Sequence, residues 1–171
     1  PRLIVICGFA GAGKTTLSNR LVTHLRIPAL NSDIVGQAIA STAPATINPW
    51  EIAYPTIFRI AEHQLRNGVS IIIDSNMGVP RSWERVDDLL SFVPEVEAMS
   101  FVLDLDWEAC LARTKKRAVE QGLESLDYAP HRHKHDFLSK LDRPDMIRID
   151  ASLPPNQVFE KACRLIDEAR S

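Results

Sequence analysis

The sequence predicts a three-layer α/β fold, a mostly parallel sheet of about five strands with helices on both faces. Short apolar, β-branched runs at 3–7, 69–73 and 96–103 read as strands buried on both faces. Segments with apolar residues at helical spacing alternate with them, and that alternation calls for right-handed crossovers between parallel strands. A chain of 171 residues suits one core, so a single domain over 1–171 is expected.

The elements follow in order. Gly8 ends the first run, and Leu17, Leu21 and Leu25 recur every four residues, giving helix 14–25 one apolar stripe. A short strand is expected at 28–31, then a helix over 34–40 capped by Ser32 or Asp33. A Pro-, Thr- and Ala-rich loop fills 41–49. Over 51–66, Ala53, Ile57, Ile60, Ala61 and Leu65 keep helical spacing, with Pro55 near the start, where proline is tolerated. Asn67-Gly68 stops that helix. The strand 69–73 runs into Asp74, and Pro80 opens a helix marked by Trp83, Val86, Leu89, Leu90 and Val93. The strand 96–103 leads to Asp104 and Asp106, and Asp106 caps a helix through Cys110 and Leu111. The stretch 113–140 is polar and rich in Arg, Lys and His. A short strand at 146–149 and a helix carrying Val158, Ala162, Leu165, Ile166 and Ala169 close the chain.

Composition excludes some classes. The formal net charge of −2 provides no global field for nucleic acid. No apolar run is long enough to span a bilayer. Cys7, Cys110 and Cys163 lack metal-type spacing and lie in apolar or helical surroundings, so they read as reduced core residues of a cytoplasmic protein.

Ligands of such a sheet bind beyond the carboxyl ends of the strands. The residues there carry chemistry. Gly8-Phe9-Ala10-Gly11-Ala12-Gly13-Lys14-Thr15 fits G-x-x-x-x-G-K-[ST] in full, between a buried strand and an amphipathic helix. Glycines let the backbone turn its N–H groups inward around an anion, and the helix N-terminus adds favourable potential. Lys14 places a cation on the terminal phosphates, and the Thr15 hydroxyl ligates magnesium. The loop, with Thr16 after it, is therefore the expected site of a nucleoside triphosphate, read as ATP with Mg2+.

Asp74, at the end of an apolar strand, suits a second magnesium contact, or else a turn, since Asp74-Ser75-Asn76 is also turn chemistry. Asp33 follows the second strand and is either an acceptor-side base or a helix cap. Arg113 and Arg117 lie four apart on one helical face, as lid arginines over the moving phosphoryl group or as a solvated basic surface. Asn76 and Arg81 are candidate acceptor contacts, and Arg81 reads equally as an exposed first-turn arginine.

With these residues in place, the sequence resembles the small P-loop kinases of the zeta-toxin, polynucleotide kinase, chloramphenicol phosphotransferase and gluconate kinase type. The resemblance covers nearly the whole chain. It rests on the loop 8–15, Asn31-Ser32-Asp33, Ile73-Asp74-Ser75-Asn76, Leu103-Asp104 followed by Arg113 and Arg117, and the closing strand after Pro144. It implies a P-loop NTPase fold of strand order 2-3-1-4-5 with a helical lid at about 113–140. It also implies ATP- and Mg-dependent transfer of the γ-phosphoryl group to a hydroxyl. Asp33 would be the acceptor-side base, Arg113 and Arg117 the lid residues, and 150–154 would lie near the adenine. In one departure, Ile34-Val35-Gly36-Gln37 follows Asp33, where many members carry an arginine. That turns the expectation from an anionic or nucleic-acid acceptor towards a small molecule.

Other features have plainer readings beside sharper ones. His131, His133 and His135 alternate among Arg and Lys, which repel a metal ion, so a solvated loop or a lid contact outweighs a metal site. Trp50, Tyr54 and Phe58 stand four apart, favouring a core face over a stacking platform. Three rivals stand against a small-molecule kinase: a nucleotide switch that hydrolyses ATP slowly, a binding module without catalysis, and a nucleic-acid 5′-hydroxyl kinase.

Overall fold

The computed structural model describes residues 1–122, 124 and 126–169. Its sheet contains β1 (Arg2–Cys7), β2 (Ala29–Asn31), β3 (Ile71–Asp74), β4 (Glu97–Asp104) and β5 (Met146–Asp150). The order is β2-β3-β1-β4-β5, and every neighbouring pair is parallel. The sheet therefore has the order expected from the resemblance. The helices are α1 (Lys14–Leu25), α2 (Ser32–Ala40), α3 (Pro49–Arg66), α4 (Pro80–Phe92), α5 (Trp107–Glu120), α6 (Arg132–Lys140) and α7 (Pro155–Glu168).

Side-chain alternation on the strands splits the core into two layers. Ile4 and Ile6 of β1 face α1 and α7, joining Leu17, Leu21, Val158, Ala162 and Ile166. Leu3, Val5 and Cys7 face the other way, joining Ile57, Ala61 and Leu65 of α3 and Trp83, Val86 and Leu89 of α4. Both faces of β1 are covered, which is why its sequence is continuously apolar. Each fully buried Ile or Leu adds roughly 1.5–3 kcal/mol. The three cysteines are free. Burial pushes the Cys7 thiol up to about 12, so it is an inert core residue. Among the described residues, no helix is long and apolar enough to cross a membrane.

Several local expectations are corrected. The cap of α2 is Asn31, whose Oδ1 accepts from the N–H groups of Asp33 and Ile34 at 2.9 and 3.0 Å. Ser32 is instead the first, buried residue of the helix. Helix α3 starts at Pro49, with Asn48 as its cap, so the loop before it is shorter. Strand β3 begins at Ile71 rather than 69, because Asn67-Gly68 and the two residues after them form the turn out of α3. Residues 131–135 do not form a polar loop: a 3-10 turn at Ala129–His131 runs into α6. That helix escaped the sequence reading because its apolar face is narrow, with Leu138 its one fully buried residue. Residues 123 and 125 of the expected lid lie outside the described residues.

Candidate active site

The parallel sheet brings its carboxyl ends to one edge, where the loop 8–15, Asp33 and Asp74 come together. In the loop 8–15, Gly13 has φ of 96° and precedes α1 with no side-chain cap. The first-turn N–H groups of α1 are therefore left for a ligand. Gly11 has φ of 86°, and a Cβ there would come within 2.6 Å of the Cys110 carbonyl oxygen on α5. This glycine lets the loop and α5 touch. Lys14 is buried to 9 % exposure in the first turn of α1, where a cation opposes the helix dipole, and its Nζ reaches the Phe9 carbonyl at 3.4 Å. An anion beside it resolves both costs.

Phe9 is buried, with its ring 5.1 Å from Trp107 and 5.9 Å from both Tyr128 and His135. Thr15 and Thr16 are exposed at the start of α1. Thr114 of α5 packs against Gly11. Arg113 beside it is exposed, and Arg117 is exposed one turn further along α5.

Register places Asp74 next to Ile6 of β1 and Asn31 of β2. Asp74 is 2 % exposed. Asn31 Nδ2 donates to its Oδ2 at 2.6 Å, whereas Oδ1 is buried without a partner. Burial raises the Asp74 pKa and the Asp33 charge adds to this, while Lys14, the Thr15 hydroxyl and Asn31 oppose it. Asp104 and Asp106, also at strand ends, are otherwise engaged. Asp104 pairs with Arg148 at 2.8 Å, and Asp106 caps α5 through the Ala109 N–H at 2.9 Å.

Asp33 is exposed on the first turn of α2. Tyr54, from α3, lies beside it: burial raises the Tyr54 pKa, with Asp33 adding and Ser75, Ser32 and the Met77 backbone opposing. Ser75 is fully buried with its Oγ unpartnered, and the Oδ1 of half-buried Asn76 is likewise unpartnered. Met77 holds a positive φ of 56°, and its carbonyl accepts from Trp83 Nε1 at 2.9 Å. Arg81 is exposed in the first turn of α4. Tyr54, Ser75 and Asn31 were not singled out from the sequence for these positions. For Tyr54 the signal was its place in an aromatic stripe, which core packing explained equally well.

His135 of α6 was read only as one of three histidines. Its Nε2 meets the Leu105 carbonyl at 2.8 Å and, since a carbonyl only accepts, it donates. Its Nδ1 is buried without a hydrogen bond, 3.6 Å from Asp136. No group of His, Cys, Asp or Glu among the described residues is arranged to hold a metal by itself. The donors at Thr15 and Asp74 are hard oxygens, and Asp74 has one to spare. They fit magnesium, which takes few protein ligands and completes its shell with water and phosphate oxygens.

A pocket of about 360 Å³ lies at the opposite, amino end of the strands, lined by Arg2, Glu97, Met99 and Ile166 among others. Arg2 is paired there with Glu97 at 2.8 Å, and open α/β sheets bind ligands at the other edge. The loop 8–15, Asp33 and Asp74 lie at the carboxyl edge instead.

A family model described as AAA domain matches residues 3–144. No curated protein matches the sequence significantly. Solved structures are similar over nearly the whole chain. A sugar kinase from a Janibacter species has a TM-score of 0.74 and 21 % identity, over 97 % of this chain and 94 % of that one. The tunicamycin resistance protein of Deinococcus radiodurans has a TM-score of 0.70 and 19 % identity, over 96 % and 95 %. A gluconokinase from Sinorhizobium meliloti has a TM-score of 0.67 and 15 % identity, over 99 % and 96 %. At these identities the likenesses establish a shared fold.

Proposed function

Because the chain belongs to the AAA domain family and has the fold of small P-loop kinases, we propose that it transfers the γ-phosphoryl group of ATP to a hydroxyl of a small molecule. The observation that carries this reading is the convergence at one sheet edge of Lys14, the spare oxygen of Asp74 and the exposed carboxylate of Asp33. Kinases of sugar and gluconate share the fold, which supports a small-molecule acceptor.

The loop's N–H groups and Lys14 hold the β- and γ-phosphates. Bound magnesium would neutralise phosphate charge, with Thr15 and Asp74 as its protein contacts. Asp33 orients the acceptor hydroxyl and takes its proton as the acceptor oxygen bonds to the γ-phosphorus. The bond from that phosphorus to the β–γ bridging oxygen breaks, leaving ADP and a phosphate monoester. Arg113, on the helix that touches Gly11, meets charge on the moving group, and Arg117 extends that surface.

Asp33→Asn tests the assignment. Transfer to an acceptor should fall about 10²–10⁴-fold, with ATP affinity changed by no more than a few-fold. Transfer is followed by phosphorus NMR and affinity by calorimetry. Undiminished transfer would remove Asp33 from the reaction. ATP turnover with water as sole acceptor would favour a nucleotide switch instead.

A further inference from the structure

We propose that the acceptor is an uncharged, hydrogen-bond-donating polyol, recognised jointly by Asp33, Tyr54, Ser75 and Asn76. The inference rests on the kinase reading above and names the substrate class of that site.

Three consecutive residues at the end of β3 each bury an oxygen that makes no well-aligned hydrogen bond: Asp74 Oδ1, Ser75 Oγ and Asn76 Oδ1, with the Thr15 hydroxyl near the first and the Tyr54 hydroxyl near the second. Buried polar atoms are nearly always paired, so three in a row at the ligand-binding edge point to something that completes them. Their chemistry is one-sided. Carboxylate and amide oxygens only accept, and the Ser75 and Tyr54 hydroxyls both donate and accept. Asp33 adds another accepting group at the mouth. A corner lined mainly by acceptors takes a ligand rich in donors. A polyol brings one O–H per carbon. A carboxylate or phosphate next to the reacting hydroxyl brings acceptors alone and would leave those oxygens unpaired.

Charge points the same way. The charged groups acting on Tyr54 and Asp74 are Asp33 and Lys14, and Lys14 belongs to the phosphates in the kinase reading. Lys134 of α6 lies behind Asn76: a Cβ on Gly78 would come within 2.6 Å of both the Asn76 Oδ1 and the Lys134 side chain. Directly after Asp33 stands Ile34, a 66 % exposed apolar residue, so this position supplies no cation to an anionic acceptor. The packing of α2 on α3 brings Tyr54 into this corner. At Gly36 a Cβ would lie 3.1 Å from the Trp50 indole, so a side chain there would crowd the two helices. One turn away, Tyr54 lies among Ser32, Ser75 and the Met77 backbone.

The test compares matched pairs as acceptors with ATP and magnesium: glucose and gluconate, ribose and ribonate, myo-inositol and inositol 1-phosphate. Transfer is read by phosphorus NMR, and ATP affinity is measured on the same sample. The polyol of at least one pair should be phosphorylated with kcat/KM about ten-fold or more above its anionic partner. In that pair Tyr54→Phe and Ser75→Ala should each raise the polyol KM about five- to ten-fold. Equal or faster transfer to the anionic partners overturns the proposal. So does ATP binding with no transfer to any polyol. An unchanged KM in Tyr54→Phe and Ser75→Ala removes those residues from recognition. Failure of the kinase reading looks different: ATP then does not bind, or is hydrolysed to ADP and inorganic phosphate with water as its sole acceptor.

Discussion

Asp74 sits at the end of β3 with one carboxylate oxygen on Asn31 and the other buried without a well-aligned hydrogen bond, at a cost to the fold. Its pKa is raised above 3.8, first by burial. In the pH interval between the unfolded and folded values, the folded chain binds more protons than the unfolded one. Stability therefore falls as pH rises through that interval, and the cost is fully present above the raised value. Asp74→Asn removes it. The melting temperature of the variant relative to the unaltered protein should climb as pH rises above about 4. Its magnesium-dependent gain in ATP affinity should be lost. A relative melting temperature independent of pH would mean that the carboxylate is satisfied in the empty protein. Asp74 was legible from the sequence because it ends an apolar strand. Its partner was not, since Asn31 lies 43 residues away and only the parallel register of β2 on β3 joins them.

At the scale of the element, α6 separates into what it offers and what holds it. Arg148 of β5 donates through Nη2 to the carbonyls of Leu138 at 2.8 Å and Leu141 at 2.6 Å, satisfying the end of the helix. The same side chain pairs with Asp104. At the other end, His135 ties α6 to Leu105, and a Cβ on Gly78 would come within 2.6 Å of Lys134. The helix is thus clamped between the phosphate loop, the β4–α5 connection and the β3–α4 loop. Arg148→Met should lower stability by about 1–2 kcal/mol. It should also speed amide exchange across 132–141 more than in α1, as read by hydrogen-exchange mass spectrometry. Equal protection in both helices would show that apolar packing alone holds α6. Sequence reading missed this helix because its anchors come from other elements. Polar residues that look solvated along the chain are tied down by an arginine on a strand and a carbonyl after another.

Across the whole molecule, ligand binding and folding are linked. ATP with magnesium at about one hundred times its dissociation constant should stabilise the fold by about 2.7 kcal/mol, which for a domain of this size raises the melting temperature by roughly 5–10 °C. Chelating the metal should shrink that shift, and Lys14→Ala should abolish it. A shift that survives in Lys14→Ala would place the nucleotide elsewhere.

The chain's own order already determined the three-layer fold, the loop 8–15 and the carboxylates after the strands. Those features are local: a continuous apolar run requires two covered faces, and eight consecutive residues carry the phosphate loop. Helix α1 was delimited correctly for the same reason, by a four-residue leucine repeat next to a glycine turn. The tertiary structure alone decided which strand-end acids are free and which are spent. Asp104 and Asp106 look like Asp74 in sequence, yet one is held by Arg148 and the other caps α5. It also decided that Tyr54 stands beside Asp33 and that Ser75 and Asn76 keep unpaired oxygens. Such facts depend on contacts between residues far apart in the chain, made by strand register and helix packing, and no local pattern encodes them.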